Sequence, residues 1–550
     1  MNYTEICRAE EFAPYVEAIR GQRAVAVKTA DAGGEPRAVW LAWEGARLKV
    51  GSQVFSPRGT ALLKEALEPS PVKVFYDAKR ELRFLMGLGI RPSVIFDVML
   101  AGQLLSENGH QLFSPAELAR RYLGADAGQE ETTDLLRLRR AMIGRLKEEG
   151  LIGIAKIEFD CALSVAQMEY HGILLDTAAW RKLTVKAKEE KERALEELRL
   201  FIGARPVQTT LWGESAAEEN FDSSAYILSL LREHGLEVKN TSKAALAAHR
   251  SHPLVAAVSR YRSAAKLLSS YLLPIPKMLR PDTGRLHPQY AQIAAWTGRM
   301  SCYAPNIQQI PRDEAFRSCF AAPEGRRLLI ADYPQIELRV AAQITRDRRM
   351  LEAYRRGLDL HGLTASLILG KPPESISPQE RQYAKAVNFG LIYAMGADGL
   401  RLSARQSYGV EMTREQAERF RRLFFEAYPA VRRWHAMLDS RRQPQGRTLA
   451  GRKYAFPAWY GLPAHSNAPV QGTAADILKK ALGTLALSLS GSDAFPVAAI
   501  HDEVIVECPK ERAGYYGAIL KNAMEQAAAA ILPDVPTAVE VRAARRWSEK

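Results

Sequence analysis

Long apolar runs, a leader and a cysteine framework are all missing from this sequence. Only five of its 550 residues are cysteine (Cys7, Cys161, Cys302, Cys319 and Cys508), an odd number with no Cys-x-x-Cys pair. That excludes a disulfide scaffold and a zinc ribbon, and it points to a reducing compartment. No run of roughly 18 apolar residues occurs, so no transmembrane helix is expected. The opening MNYTEICRAEEF is acidic and polar, which is not the pattern of a signal peptide. Internal repeats and low-complexity tracts are also missing. The expectation is a cytoplasmic protein with no membrane partner. What is present is an ordinary globular composition, 47% hydrophobic and 25% charged, with length for about three to five domains.

Charge of one sign is in excess. Lys and Arg number 76 against 62 Asp and Glu, a net +14. The excess is uneven: residues 1–150 hold 21 basic and 20 acidic side chains, whereas residues 151–550 hold 55 and 42. Residues 251–350 carry 15 basic against 7 acidic, and residues 401–450 carry 11 against 5. The larger, later part is therefore the one expected to meet an anion, with nucleic acid the leading partner.

Hydrophobic patterning gives a coarse map. Residues 22–50, VKVFYD (72–77) and SVIFDVML (93–100) predict strands with helices between them. KAKEEKERALEELRL (186–200) predicts a long exposed helix, and residues 220–249 predict two capped helices with a stop at Gly235. RRLLIADYPQIELRVAAQI (326–344) predicts a strand running into a helix, with Asp332 at the strand end and Pro334 in the first helical turn. FPVAAIHDEVIVECP (495–509) predicts a hairpin with acids at its tip.

Asp332 and Asp502 each emerge from an apolar run. A carboxylate at the edge of a buried sheet must be paired or must bind a cation. Two such carboxylates from different strands are the donors that a pair of Mg²⁺ ions needs for phosphoryl transfer. Either alone fits equally a helix cap or a closed turn, and spacing does not bring them together. Arg381, Lys385, Phe389 and Tyr393 recur every fourth residue, one slowly winding helical face. Two cations and two aromatics in a stripe suit a triphosphate and a stacked base. They also suit a solvated turn that leads into a core-facing end. His361 is a candidate third phosphate contact, although a lone histidine is usually structural.

Five segments, TGRMSCYAPNIQQIP (297–311), DYPQIELR (332–339), RQYAKAVNFGLIYAMG (381–396), NAPVQGTAADILKKA (467–481) and AIHDEVIVE (499–507), resemble the successive motifs of family A DNA polymerases. They stand in the family's order over residues 151–550. The resemblance implies an α/β and α+β multidomain chain: a ribonuclease H-like 3′–5′ exonuclease-type domain (1–150), then a right-hand polymerase. Its parts would be the thumb (151–290), the palm (291–345 and 436–550) and the fingers (346–435). By the same resemblance Asp332 and Asp502 would bind two Mg²⁺, with Mn²⁺ as substitute, and Glu503 would support them. Arg381 and Lys385 would hold the dNTP triphosphate, assisted by His361 and Gln335, and Lys385 would serve as general acid to the leaving pyrophosphate. Phe389 would stack near sugar and base, Glu337 would exclude a ribose 2′-OH, and Tyr393 would close the helix beside the templating base. Arg299, Asn467 and Gln471 would read the minor groove of primer-template DNA for shape, and His501 would position the primer end. The implied protein is a monomeric DNA-directed DNA polymerase. The alternative is a non-catalytic DNA-binding protein on a polymerase scaffold.

The sequence also departs from the family pattern. Pro334 replaces the usual Ser, Ala394 follows Tyr393 where Gly is usual, and Pro463 stands about where an Arg is expected. In the exonuclease-like part the first Asp-x-Glu reads Lys28-Thr29-Ala30, Glu81 stands for an Asp, and the late Tyr-x-x-x-Asp is missing from 137–150. A lysine where a metal-binding Asp should stand predicts no proofreading, with Asp97 a structural remnant. No 5′-nuclease part is expected either.

Overall fold

The computed structural model describes residues 3–550 apart from 33–34, 69–70, 125–130, 203–207, 211–212, 216–218, 442 and 458. Its first sheet has six strands: β1 (Thr4–Ile6), β2 (Ala24–Ala32), β3 (Glu35–Trp43), β4 (Ala46–Gly51), β5 (Val72–Phe75) and β6 (Ile95–Asp97). They lie in the order β1-β4-β3-β2-β5-β6. β2, β3 and β4 form an antiparallel meander, whereas β2–β5 and β5–β6 are parallel. Alternating apolar residues such as Val25 and Val27, Val39 and Leu41, and Leu48 and Val50 are buried against flanking helices. SVIFDVML is not one strand. It breaks at Asp97, which ends β6 and caps the helix Val98–Leu105 by accepting from the Leu100 N–H at 3.0 Å.

The helix Ile152–His171 serves two cores. Ile154, Phe159 and Leu163 face the first sheet, while Cys161, Val165 and Met168 face the second part of the molecule. A fully buried ionic cluster ties this helix to the long helix Leu462–Ser488. Lys479 Nζ lies 2.6 Å from Glu158 Oε1, Arg452 Nε lies 2.7 Å from Asp476 Oδ1, and Arg452 also meets Glu158. Buried charges of this kind hold only when paired and hydrogen-bonded. Gln292 and Thr448 complete the set by donating to Glu158 and Asp476.

The helix Thr177–Ile202 is the long charged helix of the sequence pattern. Of the two helices expected over 220–249, Ser224–Glu233 forms fully and Gly235 stops it at φ 73°, but the second is a single turn, Lys243–Leu246. The second main sheet is antiparallel, in the order Phe495–Ile500, Glu503–Pro509, Arg326–Asp332, Val541–Ala544. The helix Ala513–Ile531 packs on its strands, the helix Ile152–His171 packs on Phe495–Ile500, and the long helix Leu462–Ser488 packs on both of these helices; Leu328, Ile330, Val504 and Val506 are buried in the core. All five cysteines are free thiols. Among the described residues no helix is long and apolar enough to cross a membrane.

Candidate active site

The central strand Arg326–Asp332 pairs with Glu503–Pro509 in a register that sets Asp332 opposite Glu503. Ile500 pairs with Glu503, so the chain turns in two residues, His501 and Asp502, with His501 in the left-handed region at φ 60°. The Tyr333 N–H donates to the Asp502 carbonyl at 3.2 Å. Asp332 and Asp502 are thereby brought to one edge of one sheet. The local pattern did not predict where the helix after Asp332 begins. It starts at Ile336, not at Pro334; Pro334 lies in the preceding turn and Gln335 caps the helix at φ 54°. A left-handed non-glycine residue is strained, and such strain gathers at functional sites.

Asp332, Asp502, Glu503, Glu337, Gln335, His361, Arg381, Lys385, Phe389, Arg299 and His501 line one cleft of about 1140 Å³. Asn467, Gln471 and Tyr393 do not line it. Tyr393 meets Glu337 through its hydroxyl, and Asn467 and Gln471 are half-buried four residues apart on the long helix.

Burial, with Asp332 and Glu337 nearby, pushes the Asp502 carboxyl up to about 6. Two carboxylates that repel each other in a partly dry corner want positive charge. Among the described residues no cluster of three or more His, Cys, Asp and Glu side chains forms a metal cage. Two hard carboxylates and an open cleft nevertheless fit Mg²⁺, which usually binds through one or two carboxylates and completes its shell with water and phosphate oxygens. The donor set therefore fits the implied metal.

Opposite the acids runs the helix Pro378–Ile392, opened by a Ser377/Glu380 capping box with Pro378 in its first turn. It points Arg381, Lys385 and Phe389 into the cleft. Arg381 forms a forked pair with Asp359, Nε to Oδ2 at 2.6 Å and a second nitrogen to Oδ1 at 3.1 Å. Gln335 Nε2 donates to the same Asp359 at 2.8 Å. Together these contacts hold the Asp359 carboxyl down to about 2, against the opposing effect of burial.

His361 is buried, 2% exposed, and its ring lies 5.7 Å from that of Phe389. Burial, reinforced by Arg381 and Lys385, lowers its pKa to about 4. Asn388 Nδ2 donates to His361 Nδ1 at 2.9 Å, which puts the proton of the neutral ring on Nε2. His361 is thus a neutral donor, not a cation. Glu337 is pinned from two sides by Arg299 and the Tyr393 hydroxyl. Tyr393 caps the helix, and Ala394 after it takes φ 57°, a conformation that suits the glycine usual there.

Sequence reasoning missed Asp359, Arg317, Trp547 and Lys550. Asp359 carried a visible signal, an Asp just before an apolar helical run, and it caps the helix Leu360–Leu369. The other three reach the acids from distant segments. Trp547 Nε1 donates to Glu503 Oε1 at 2.5 Å, and Lys550 Nζ donates to Asp332 Oδ2 at 2.6 Å.

Residues 214–549 match the model of DNA polymerase family A. The DNA polymerase I of Aquifex aeolicus is 32% identical over 524 residues, which cover 86% of this chain and 88% of that protein. This chain belongs to DNA polymerase family A. It is also 33% identical to the thermostable DNA polymerase I of Thermus aquaticus over 87% of its own length, but spans only 59% of that relative. Among solved structures, the POL domain of Pol1 from M. smegmatis in complex with DNA primer-template and dNTP superposes with a TM-score of 0.83. It is 25% identical, and the match covers 99% of each chain.

Proposed function

We propose that this family A polymerase extends a primer 3′ end with dNTPs on a DNA template and lacks proofreading. The observation that carries the reading is the facing of two surfaces across one cleft: Asp332 and Asp502 at a sheet edge, and Arg381 and Lys385 on the opposite helix. A cleft with anions on one wall and cations on the other holds a cation and a polyphosphate together. Asp332 and Asp502 would hold two Mg²⁺ ions, or Mn²⁺ in their place. When bound, these supply a lowered pKa at the primer 3′-hydroxyl and neutralise the leaving pyrophosphate.

The chain's own groups do the rest. Arg381 leaves Asp359 and binds triphosphate oxygens as a fork. Lys385 gives its proton to the departing pyrophosphate oxygen. The neutral His361 donates from Nε2 to a phosphate oxygen, and Gln335 supports the same end. Phe389 covers the sugar and base, and Tyr393 shapes the end of the helix beside the template. Glu337, pinned by Arg299 and Tyr393, stands where a ribose 2′-OH would enter, and a fixed carboxylate rejects it better than a mobile one. Arg299, Asn467 and Gln471 form the face that meets the minor groove, and His501 sits at the turn where the primer end would lie. Glu503 backs Asp332 in the neighbouring strand.

The domain reading follows the same lines. The antiparallel sheet and its helices act as palm (291–345 and 436–550), residues 346–435 as fingers, and residues 151–290 as thumb. The six-stranded domain acts as a degenerate exonuclease-type domain. There Glu81 accepts from both the Thr29 N–H and hydroxyl at 2.6 Å, and Asp97 accepts from the Ala78 and Leu100 amides. Acids spent on the backbone in this way are poor metal ligands. The same reading takes the enzyme to be cytoplasmic and monomeric.

Primer extension with Mg²⁺ and dNTPs tests the reading. Asp332→Ala and Asp502→Ala should each cut extension by about 10³-fold or more, since loss of several kcal/mol of charge stabilisation is at stake. Primer-template binding should persist in both variants. Retained synthesis in either would remove the acids from the chemistry, and binding without synthesis by the unmodified protein would favour the non-catalytic alternative.

A further inference from the structure

The cation that meets Asp332 in this structure belongs to the chain itself. Lys550 Nζ donates to Asp332 Oδ2 at 2.6 Å and to Glu503 Oε2 at 2.5 Å, bridging two carboxylates that face each other in register. The bridge is built from behind. Trp547, 1% exposed, anchors the segment three residues earlier by packing edge-on to Phe320 at 5.3 Å. Its indole N–H fixes Glu503 Oε1. The Arg317 guanidinium stacks over the same indole at 4.4 Å and lies 3.7 Å from Glu503 Oε2. Glu503 therefore keeps Trp547 and Arg317 when Lys550 moves, whereas Asp332 Oδ2 gives up its ammonium.

We propose that Lys550 is a positioning residue that acts as the site's resident cation. It holds Asp332 and Glu503 in place before a divalent ion arrives, and it must vacate Asp332 for that ion to bind. The inference rests on the reading of Asp332 as a metal ligand. The ammonium on Asp332 Oδ2 sets a positive charge beside the place a divalent ion would take on that carboxylate, and the two cations repel each other. The lysine stem is flexible and its head is a point charge, so it can retreat onto Glu503 without moving the backbone. Two consequences follow. The protein without DNA or nucleotide binds a divalent ion weakly, because each ion must displace Lys550. Once the ion is in, the displaced ammonium keeps Glu503 neutralised and still. Metal then enters most readily with a triphosphate that brings its own negative charge.

The test is Mn²⁺ binding to the full chain alone, without DNA or nucleotide, read as the loss of the free-Mn²⁺ electron paramagnetic resonance signal. Lys550→Met should bind Mn²⁺ about tenfold more tightly than the unmodified protein. Lys550→Arg, which keeps the charge, should stay near the unmodified affinity. Asp332→Asn should remove the site, alone and together with Lys550→Met. Unchanged or weaker binding in Lys550→Met, or equal tightening by Lys550→Arg, overturns the role of Lys550 and leaves the metal reading standing. Mn²⁺ binding that Asp332→Asn does not reduce overturns both.

Discussion

The two main sheets of this polymerase both carry acids near strand ends, and they treat them in opposite ways. In the first sheet Asp97 ends β6 and Glu81 reaches back to β2. Their oxygens are taken by the amides of Ala78, Leu100 and Thr29 and by the Thr29 hydroxyl. Burial pushes Asp97 up to about 7, so near neutral pH it is only partly ionised. In the second sheet Asp332 and Asp502 open onto a cleft whose far wall is cationic. The difference lies in what occupies the oxygens: backbone amides hold Asp97 in the first sheet, whereas a side-chain ammonium, that of Lys550, meets Asp332 in the second. A backbone amide that occupies a carboxylate turns it into a brace.

Mutation can break this contrast. The largest effect belongs to the second sheet: the loss of synthesis in Asp332→Ala and Asp502→Ala has no counterpart in the first. Glu81→Ala should leave primer extension unchanged while destabilising the six-stranded domain by about 1–3 kcal/mol, the cost of a buried Thr29 N–H left unpaired. Urea denaturation followed beside extension measures both. A fall in extension without a fall in stability would mean that Glu81 takes part in chemistry.

An effect confined to acid pH concerns His361, which the cleft keeps neutral. Its pKa is about 4 in the folded protein against an ordinary 6.5. Between those values the unfolded chain binds a proton that the folded chain refuses. Stability therefore falls as pH drops from 6.5 towards 4, with a slope approaching about 1.4 kcal/mol per pH unit. His361→Gln should flatten that part of the profile, and denaturation midpoints measured from pH 7 to pH 4 would read it. An unchanged slope would place His361 in a more solvated position.

Much of this was legible in the sequence, for local reasons. Asp332 and Asp502 stood out because each ended an apolar run. The four-residue recurrence of Arg381, Lys385 and Phe389 needed only the helical period to place them on one face. What was not legible depended on long-range contacts. No pattern near Lys550 or Trp547 signals Asp332 or Glu503, because the contact is made by the final segment packing back on a strand more than two hundred residues earlier. The charge of His361 was hidden as well, since its neutrality comes from burial and from Asn388. Pro334 misled because a proline two residues before a helix and one in its first turn leave the same local trace. Asn467 and Gln471, assigned by resemblance to the face that meets DNA, sit on the long helix and do not line the cleft, which no local pattern signalled.

In the proposed reading one sheet serves synthesis and the other is inert. Extension of a 5′-labelled primer with a 3′-terminal mismatch, run beside a matched primer with Mg²⁺ and dNTPs, tests it most directly. The matched primer should extend rapidly and the mismatched one slowly, with no shortened product from either. Removal of the mismatched nucleotide before extension would contradict it and return the first sheet to catalysis.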